Sequence, residues 1–236
     1  MVSADKFFEG QVEDQPMFPL GDDDSTRRST PFVTYALIAI NVVVFLLELQ
    51  NGDEFIRQWS FVPARFAADP AGNLVTIFTA MFMHGSWMHL GGNMLYLWIF
   101  GDNVEDNFGH AKYLFFYLLA GIAATFAQYL IMPDANIPNL GASGAIAGVL
   151  GAYLLMFPQG RVNVLMRGGV VAVPAIIVLG LWFALQLFSS VGSIADTSGT
   201  EGGGVAFMAH VGGFVAGFLM AFLFRSGGGT NPRISA

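Results

Sequence analysis

The chain has 236 residues, of which 54% are hydrophobic and 11% charged, with a mean hydropathy of +0.58 and a formal net charge of −7. A soluble domain carries about twice that charge fraction, so the composition describes an integral membrane protein. The absence of Cys excludes a disulfide framework, a thiolate nucleophile and a thiolate zinc site, and no cofactor or nucleic-acid partner is indicated.

Residues 1–29 contain much of the acid, including Asp22-Asp23-Asp24, and lack a basic region followed by a short apolar stretch. They read as a mostly disordered cytoplasmic lead-in and not as a cleaved signal. Six apolar spans follow within 30–226. The first runs from about Thr30 to Leu49, opened by Pro31 at a tolerated first-turn position. Segment 50–86 mixes Trp59, Phe61, Phe66, Ile77, Phe78 and Met81 with polar residues, which suits short amphipathic helices at the membrane interface. The second span covers about Trp87 to Phe100 and is followed by Gly101-Asp102-Asn103. The third runs from about Ala111 to Met132 and stops at Pro133. The fourth begins near Ser143 and ends before Pro158, the fifth extends from about Val170 to Phe188, and the sixth from about Val205 to Phe224. Helices satisfy their own backbone in lipid, so the expected architecture is an all-α, six-helix polytopic bundle. Residues 227–236 read as a flexible C-terminal tail.

With both termini in the cytoplasm, only Arg57 and Arg65 of the ten Lys and Arg residues fall outside, a bias that sets the orientation. The compact plan, with no organelle-targeting segment, suggests a prokaryotic plasma membrane. The sequence has no internal repeat, which weakens a transporter reading.

The fourth span is short. Its 15 residues from Ser143 to Phe157 make about 22 Å of helix, against a hydrocarbon core of about 30 Å. Segment 133–142 must then dip into the membrane, where irregular backbone is tolerated only beside protein or a water-filled cavity. Ser143 is therefore expected at the floor of a cavity open to the extracytoplasmic side. Small residues mark this helix at Gly144, Ala147, Gly148, Gly151 and Ala152. The sixth span carries Gly213 and Gly217 on the face that holds His210. Two such faces packed together would bring Ser143 Oγ within the ~2.6–3.2 Å of His210 that proton transfer requires. Glycine faces also serve plain helix packing. In the second span, His89 and Asn93 lie four apart on one face, with His84 outside that register. Both side chains can donate to a developing oxyanion, together with the Ser143 amide at a helix N-terminus. A histidine near Trp87 can equally be an interface anchor, and Asn93 interhelical glue. No carboxylate lies between the histidines, so a metal site is not indicated.

These residues resemble the rhomboid family of intramembrane serine proteases. The resemblance covers about 31–226: His89-x-x-x-Asn93 in the second span, Gly141-x-Ser143-Gly144 opening the fourth, and Ala209-His210-x-x-Gly213-x-x-x-Gly217 in the sixth. It implies Ser143 as nucleophile and His210 as general base and acid in a dyad without a third acidic member. It also implies His89 and Asn93 in the oxyanion hole, and Glu105 at a structural carboxylate position. The implied partners are the lipid bilayer and single-span protein substrates, cut after a small residue near the outer interface. By analogy the fifth span, with Trp182, Phe183 and Phe188, is a lateral gate, and the Gly-rich stretch 189–204 a cap. Two positions depart from the pattern: Val75-Thr76 stands where some members carry Trp-Arg, and Ala147 where some carry a Tyr packed on the histidine ring. An inactive helix-binding relative and a transporter with a polar cavity are the competing readings. Oligomeric state is not legible in the sequence.

Overall fold

In the computed structural model, residues 18–23, 27–166, 168–195 and 207–225 are described. The architecture is mostly helical. Helix α1 (Phe32–Trp59) is broken at Gly52, whose φ of 68° and ψ of −157° suit only glycine. The apolar run thus ends near the expected boundary, and the amphipathic turn that follows carries Asp53, Glu54 and Arg57.

The segment before the second span folds into the expected short helices: α2 (Pro63–Ala68), α3 (Pro70–Asn73), α4 (Thr76–Thr79) and a 3-10 turn at Ala80–Phe82. Phe61, Phe66, Ile77, Ala80 and Met81 form a small core of their own, closed by Ile122, Phe126 and Tyr129 of α6 (His110–Ile131). Where Val75-Thr76 replaces Trp-Arg, the segment is tied by other means. The Arg65 guanidinium donates to the carbonyls of Arg57 and Ser60, and Thr79 Oγ1 donates to the Trp59 carbonyl at 2.6 Å.

Helix α5 (Trp87–Phe108) starts at Ser86, whose hydroxyl accepts the His89 amide at 3.1 Å as an N-cap. It continues eight residues past Phe100, so Gly101-Asp102-Asn103 does not end the helix. These polar residues stay helical and buried because the preceding chain neutralises them. Arg27 pairs with Asp102 at 2.6 Å, Asn103 donates to Asp22 at 2.9 Å, and Ser29 donates to Asp106 through both amide and hydroxyl. The lead-in, expected to be mostly disordered, is therefore organised where residues 18–23 and 27–29 meet α5.

Glu105 completes this arrangement. It is fully buried and accepts the amides of Val33 and Thr34 at 2.9 and 2.7 Å and the Thr34 hydroxyl at 2.7 Å. A carboxylate on α5 thus caps the N-terminus of α1, whose own N-cap, Pro31, makes no side-chain bond. Glu105→Ala leaves the buried Thr34 amide and hydroxyl and the part-buried Val33 amide without this acceptor, and we expect it to destabilise the fold by about 2–4 kcal/mol. A thermal unfolding curve in detergent checks this, and an unchanged midpoint would contradict it.

Strands correct the all-α expectation. Strand β1 (Phe18–Asp22), β2 (Arg161–Met166) and β3 (Gly169–Pro174) form an antiparallel sheet in the order β1-β2-β3. The register runs Phe18↔Leu165 to Asp22↔Val162 and Arg161↔Pro174 to Met166↔Gly169, and Val162 and Val164 are fully buried. The expected fifth span began at Val170, inside β3. Its Val-Val-Ala-Val run is apolar enough for a helix, yet β-branched and preceded by Gly168-Gly169, which suits a hairpin. Helix α8 begins only after Pro174 and runs Ala175–Ala195, so the first part of the stretch expected as a Gly-rich cap is helical. The rest of that cap, the start of the sixth span at Val205, and residues 227–236 lie outside the described residues.

Helices α7 (Ser143–Met156) and α9 (Phe207–Phe224) pack backbone to backbone. A Cβ on Gly213 would fall on the Gly144 carbonyl oxygen, and one on Gly217 on that of Gly148. Only glycine permits this approach. Among the described residues, three helices (α1, α6 and α9) are long and apolar enough to cross a membrane, while α7 and Ala175–Ser190 of α8 are apolar but shorter.

Candidate active site

Ser143 is the first residue of α7, where helix N–H groups have no intrahelical acceptor. The close approach of α7 and α9 brings Ser143 Oγ to 2.7 Å from His210 Nε2. His210 is buried, 9% exposed, and its Nδ1 lies 2.7 Å from Oε1 of Gln186 on α8. Trp182, one turn earlier on α8, sets its ring 6.0 Å from that of His210 and 6.0 Å from that of Phe214, while Phe183 stacks on Phe214 at 4.6 Å. Phe188, grouped with them by the sequence, is 80% exposed. Ala147, one turn beyond Ser143, offers no ring, so the aromatic neighbour of His210 comes from a different helix.

The sequence reading passed over Gln186. The signal was present: a lone amide within an otherwise apolar helix, four residues after Trp182 and hence on its face.

His89 and Asn93 lie on α5. Gly85 N–H donates to His89 Nδ1 over a long 3.5 Å, which leaves Nε2 as the protonated nitrogen. A Cβ on Gly141 would lie 3.0 Å from that Nε2 and 3.5 Å from Ser143 Oγ, so ring and hydroxyl flank one turn of backbone. Gly141 has φ +135°, a conformation that glycine tolerates. Asn93 is buried, and its Nδ2 has no hydrogen-bond partner. An amide donor buried without an acceptor is costly, and here it is free to donate to an acceptor that enters the site.

His84 stands behind His89, edge-on at 5.1 Å, with both ring nitrogens unpartnered. Its backbone N–H donates to the Glu48 carboxylate at 3.1 and 3.2 Å. Burial pushes the His84 imidazole down to about 3, so the ring behind His89 is neutral.

Segment 133–142 leads into Ser143 as irregular backbone. Phe61 and Asn139 exchange backbone hydrogen bonds at 3.1 and 2.7 Å, and Gly141 N–H donates to the Ala80 carbonyl at 2.8 Å. The core of short helices thereby fixes the approach to α7. Beside Ser143 lies a cavity of about 40 Å³, walled by Met81, Gly121, Ala124, Gly141 and Gly144, room for a water molecule or a methyl group.

A hydroxyl hydrogen-bonded to an imidazole, beside a helix N-terminus and the unpartnered Asn93 amide, is an arrangement that can activate an alcohol for attack on a carbonyl. Comparison with known proteins gives the family. The Rhomboid domain model matches residues 71–227. Rhomboid protease GluP of Bacillus subtilis is 32% identical over 198 residues, 83% of this chain and 35% of its own length. Rhomboid protein 1, mitochondrial, of Saccharomyces cerevisiae is 30% identical over 192 residues, 79% of this chain and 51% of its own. The bovine presenilin-associated rhomboid-like protein, mitochondrial, is 33% identical over 137 residues, 55% of this chain. The chain thus spans about half or less of the length of these relatives. It is an integral membrane protein and belongs to the rhomboid family.

Proposed function

We propose that this protein is an intramembrane serine endopeptidase that hydrolyses peptide bonds in or near the transmembrane segments of single-span proteins. The observation that carries this reading is the 2.7 Å contact between Ser143 Oγ and His210 Nε2. Ser143 Oγ attacks the scissile carbonyl while its proton passes to His210 Nε2. The oxyanion gathers the Ser143 N–H, the His89 Nε2–H and the unpartnered Asn93 Nδ2–H. His210 then returns its proton to the leaving amine, and water releases the acyl group from Ser143. The cavity beside Ser143, bounded by Gly121, Ala124, Gly141 and Gly144, suits a small residue before the scissile bond.

In the bilayer the reading takes six spans, with α5, α7 and α8 joining the three longer helices around Ser143. Both termini are cytoplasmic and the site opens to the extracytoplasmic side of a prokaryotic plasma membrane. The Lys and Arg bias supports that orientation, and the short α7 supports a site recessed below the outer surface. Substrate helices enter past α8.

Cleavage of a single-span substrate by the purified protein in liposomes, with the product termini mapped by mass, tests the proposal. One cut after a small residue near the outer interface is expected. No cut across a broad substrate panel would favour a helix-binding protein without activity. Asn93→Ala is expected to lower kcat by about 10²–10³-fold with little change in KM, as loss of one oxyanion donor does. A variant whose KM rises while kcat holds would place Asn93 in substrate binding instead.

A further inference from the structure

We infer that Gln186 is a positioning residue: its amide oxygen accepts the Nδ1 proton of His210 and thereby holds the Nε2 lone pair toward Ser143. This rests on the protease reading above and adds to it an orienting member for a dyad that has no acidic one. A neutral imidazole has one donor and one acceptor nitrogen, and the partner of one fixes the role of the other. With Gln186 Oε1 at 2.7 Å from Nδ1, that nitrogen carries the proton, and Nε2 at 2.7 Å from Ser143 Oγ accepts. The opposite tautomer would set Nε2–H against the hydroxyl and leave no base.

An amide suits this position better than a carboxylate. Gln186 follows eleven apolar or glycine residues of α8, from Ala175 to Leu185, and an ionised group at that depth in a bilayer is expensive. The amide dipole orients the ring without adding a charge. Trp182 lies four residues earlier on the same face and sets its ring 6.0 Å from that of His210. One face of α8 therefore touches the imidazole twice, at its Nδ1 edge and on its ring, while Ala147 of α7 supplies nothing. The competence of the Ser143–His210 pair depends on where α8 sits. A shift of α8 away from α9 removes the Nδ1 acceptor and the ring neighbour together.

The test uses the full-length protein in detergent, labelled with ¹⁵N-histidine. The chain has four histidines, and His210→Asn assigns the resonance in question. Two-bond ¹⁵N–¹H correlations in the wild type are expected to show His210 as the Nδ1–H tautomer. In Gln186→Met, which keeps the bulk and loses the acceptor, the tautomers should mix. The kcat for a single-span substrate should fall about tenfold to a hundredfold at unchanged KM. Gln186→Glu, held as the neutral acid at that depth, still offers a carbonyl oxygen to Nδ1–H and should recover both the tautomer and most of the turnover. An Nε2–H tautomer in the wild type would overturn the inference, as would Gln186→Met with wild-type tautomer and kcat within twofold. If Gln186→Met fails to fold, Gln186→Leu and the wild-type spectrum still decide. A wild type that holds the Nδ1–H tautomer and cleaves nothing supports the role of Gln186 while sinking the protease reading alone.

Discussion

Ser143→Ala reduces cleavage of a single-span substrate to background, a loss on the order of 10⁴-fold or more, and His210→Asn does the same. The size follows from the chemistry. Without the hydroxyl no acyl-enzyme forms, and without the imidazole the hydroxyl keeps its proton and is a poor nucleophile. Because the two groups act as a unit joined at 2.7 Å, the double variant should be no slower than either single one. The measurement is initial rate in liposomes, with thermal unfolding recorded alongside to establish that each variant is folded. Turnover above about one per cent of wild type in folded Ser143→Ala would remove Ser143 from the reaction, since nucleophile loss costs far more than that.

The second large effect comes from packing. Gly213→Val should lower stability by about 2–4 kcal/mol and abolish cleavage even in the fraction that remains folded. A side chain at Gly213 meets the carbonyl oxygen of Gly144, which is backbone in the first turn of α7 and has no rotamer to escape into. Helices α7 and α9 must then separate, and the separation opens the same seam that aligns Ser143 with His210. Misplacement by about 1 Å suffices to cost a hundredfold in rate. Gly180→Ala on α8, where an added Cβ meets nothing within 4 Å, is the matched control and should behave as wild type. Denaturant titration with parallel rates checks both. A Gly213→Val protein of wild-type stability and turnover would mean that α9 is held against α7 by something other than backbone contact.

Much of the helical framework was legible because period and composition act locally. The apolar runs that became α1, α6 and α7 are bounded by residues that break or cap helices: Pro31, Pro133 and Pro158 in the sequence, Gly109 in the structure. The small faces of Gly144, Gly148, Gly213 and Gly217 were legible for the same reason, as spacing on single helices. The geometry joining Ser143 to His210 follows from those faces.

What escaped the sequence depends on partners distant in the chain. Asp102, Asn103 and Glu105 read as the end of a span because charge ends helices in lipid. They remain helical because Arg27, Asp22 and the N-terminus of α1, more than 70 residues away, meet them. Strand β1 was hidden in an acidic lead-in whose pairing partner is Arg161–Met166. Strand β3 was hidden in an apolar run that a helix and a buried strand share equally. Gln186 was overlooked because its significance lies in the Nδ1 of a residue 24 positions on, beyond a stretch whose length carries no periodic signal. The replacement of a family Tyr by Ala147 looked like a loss on one helix, and the ring neighbour came from Trp182 on another.

The most direct test of the central claim is covalent labelling of the resting protein with a fluorophosphonate, which phosphonylates an activated serine and releases fluoride. Peptide mapping by mass spectrometry should place a single adduct on Ser143. The adduct should be absent in Ser143→Ala and lost in folded His210→Asn, since the hydroxyl is reactive only while the imidazole takes its proton. Labelling at Ser143 that survives His210→Asn, or no labelling of Ser143 in a folded wild type, would contradict the account.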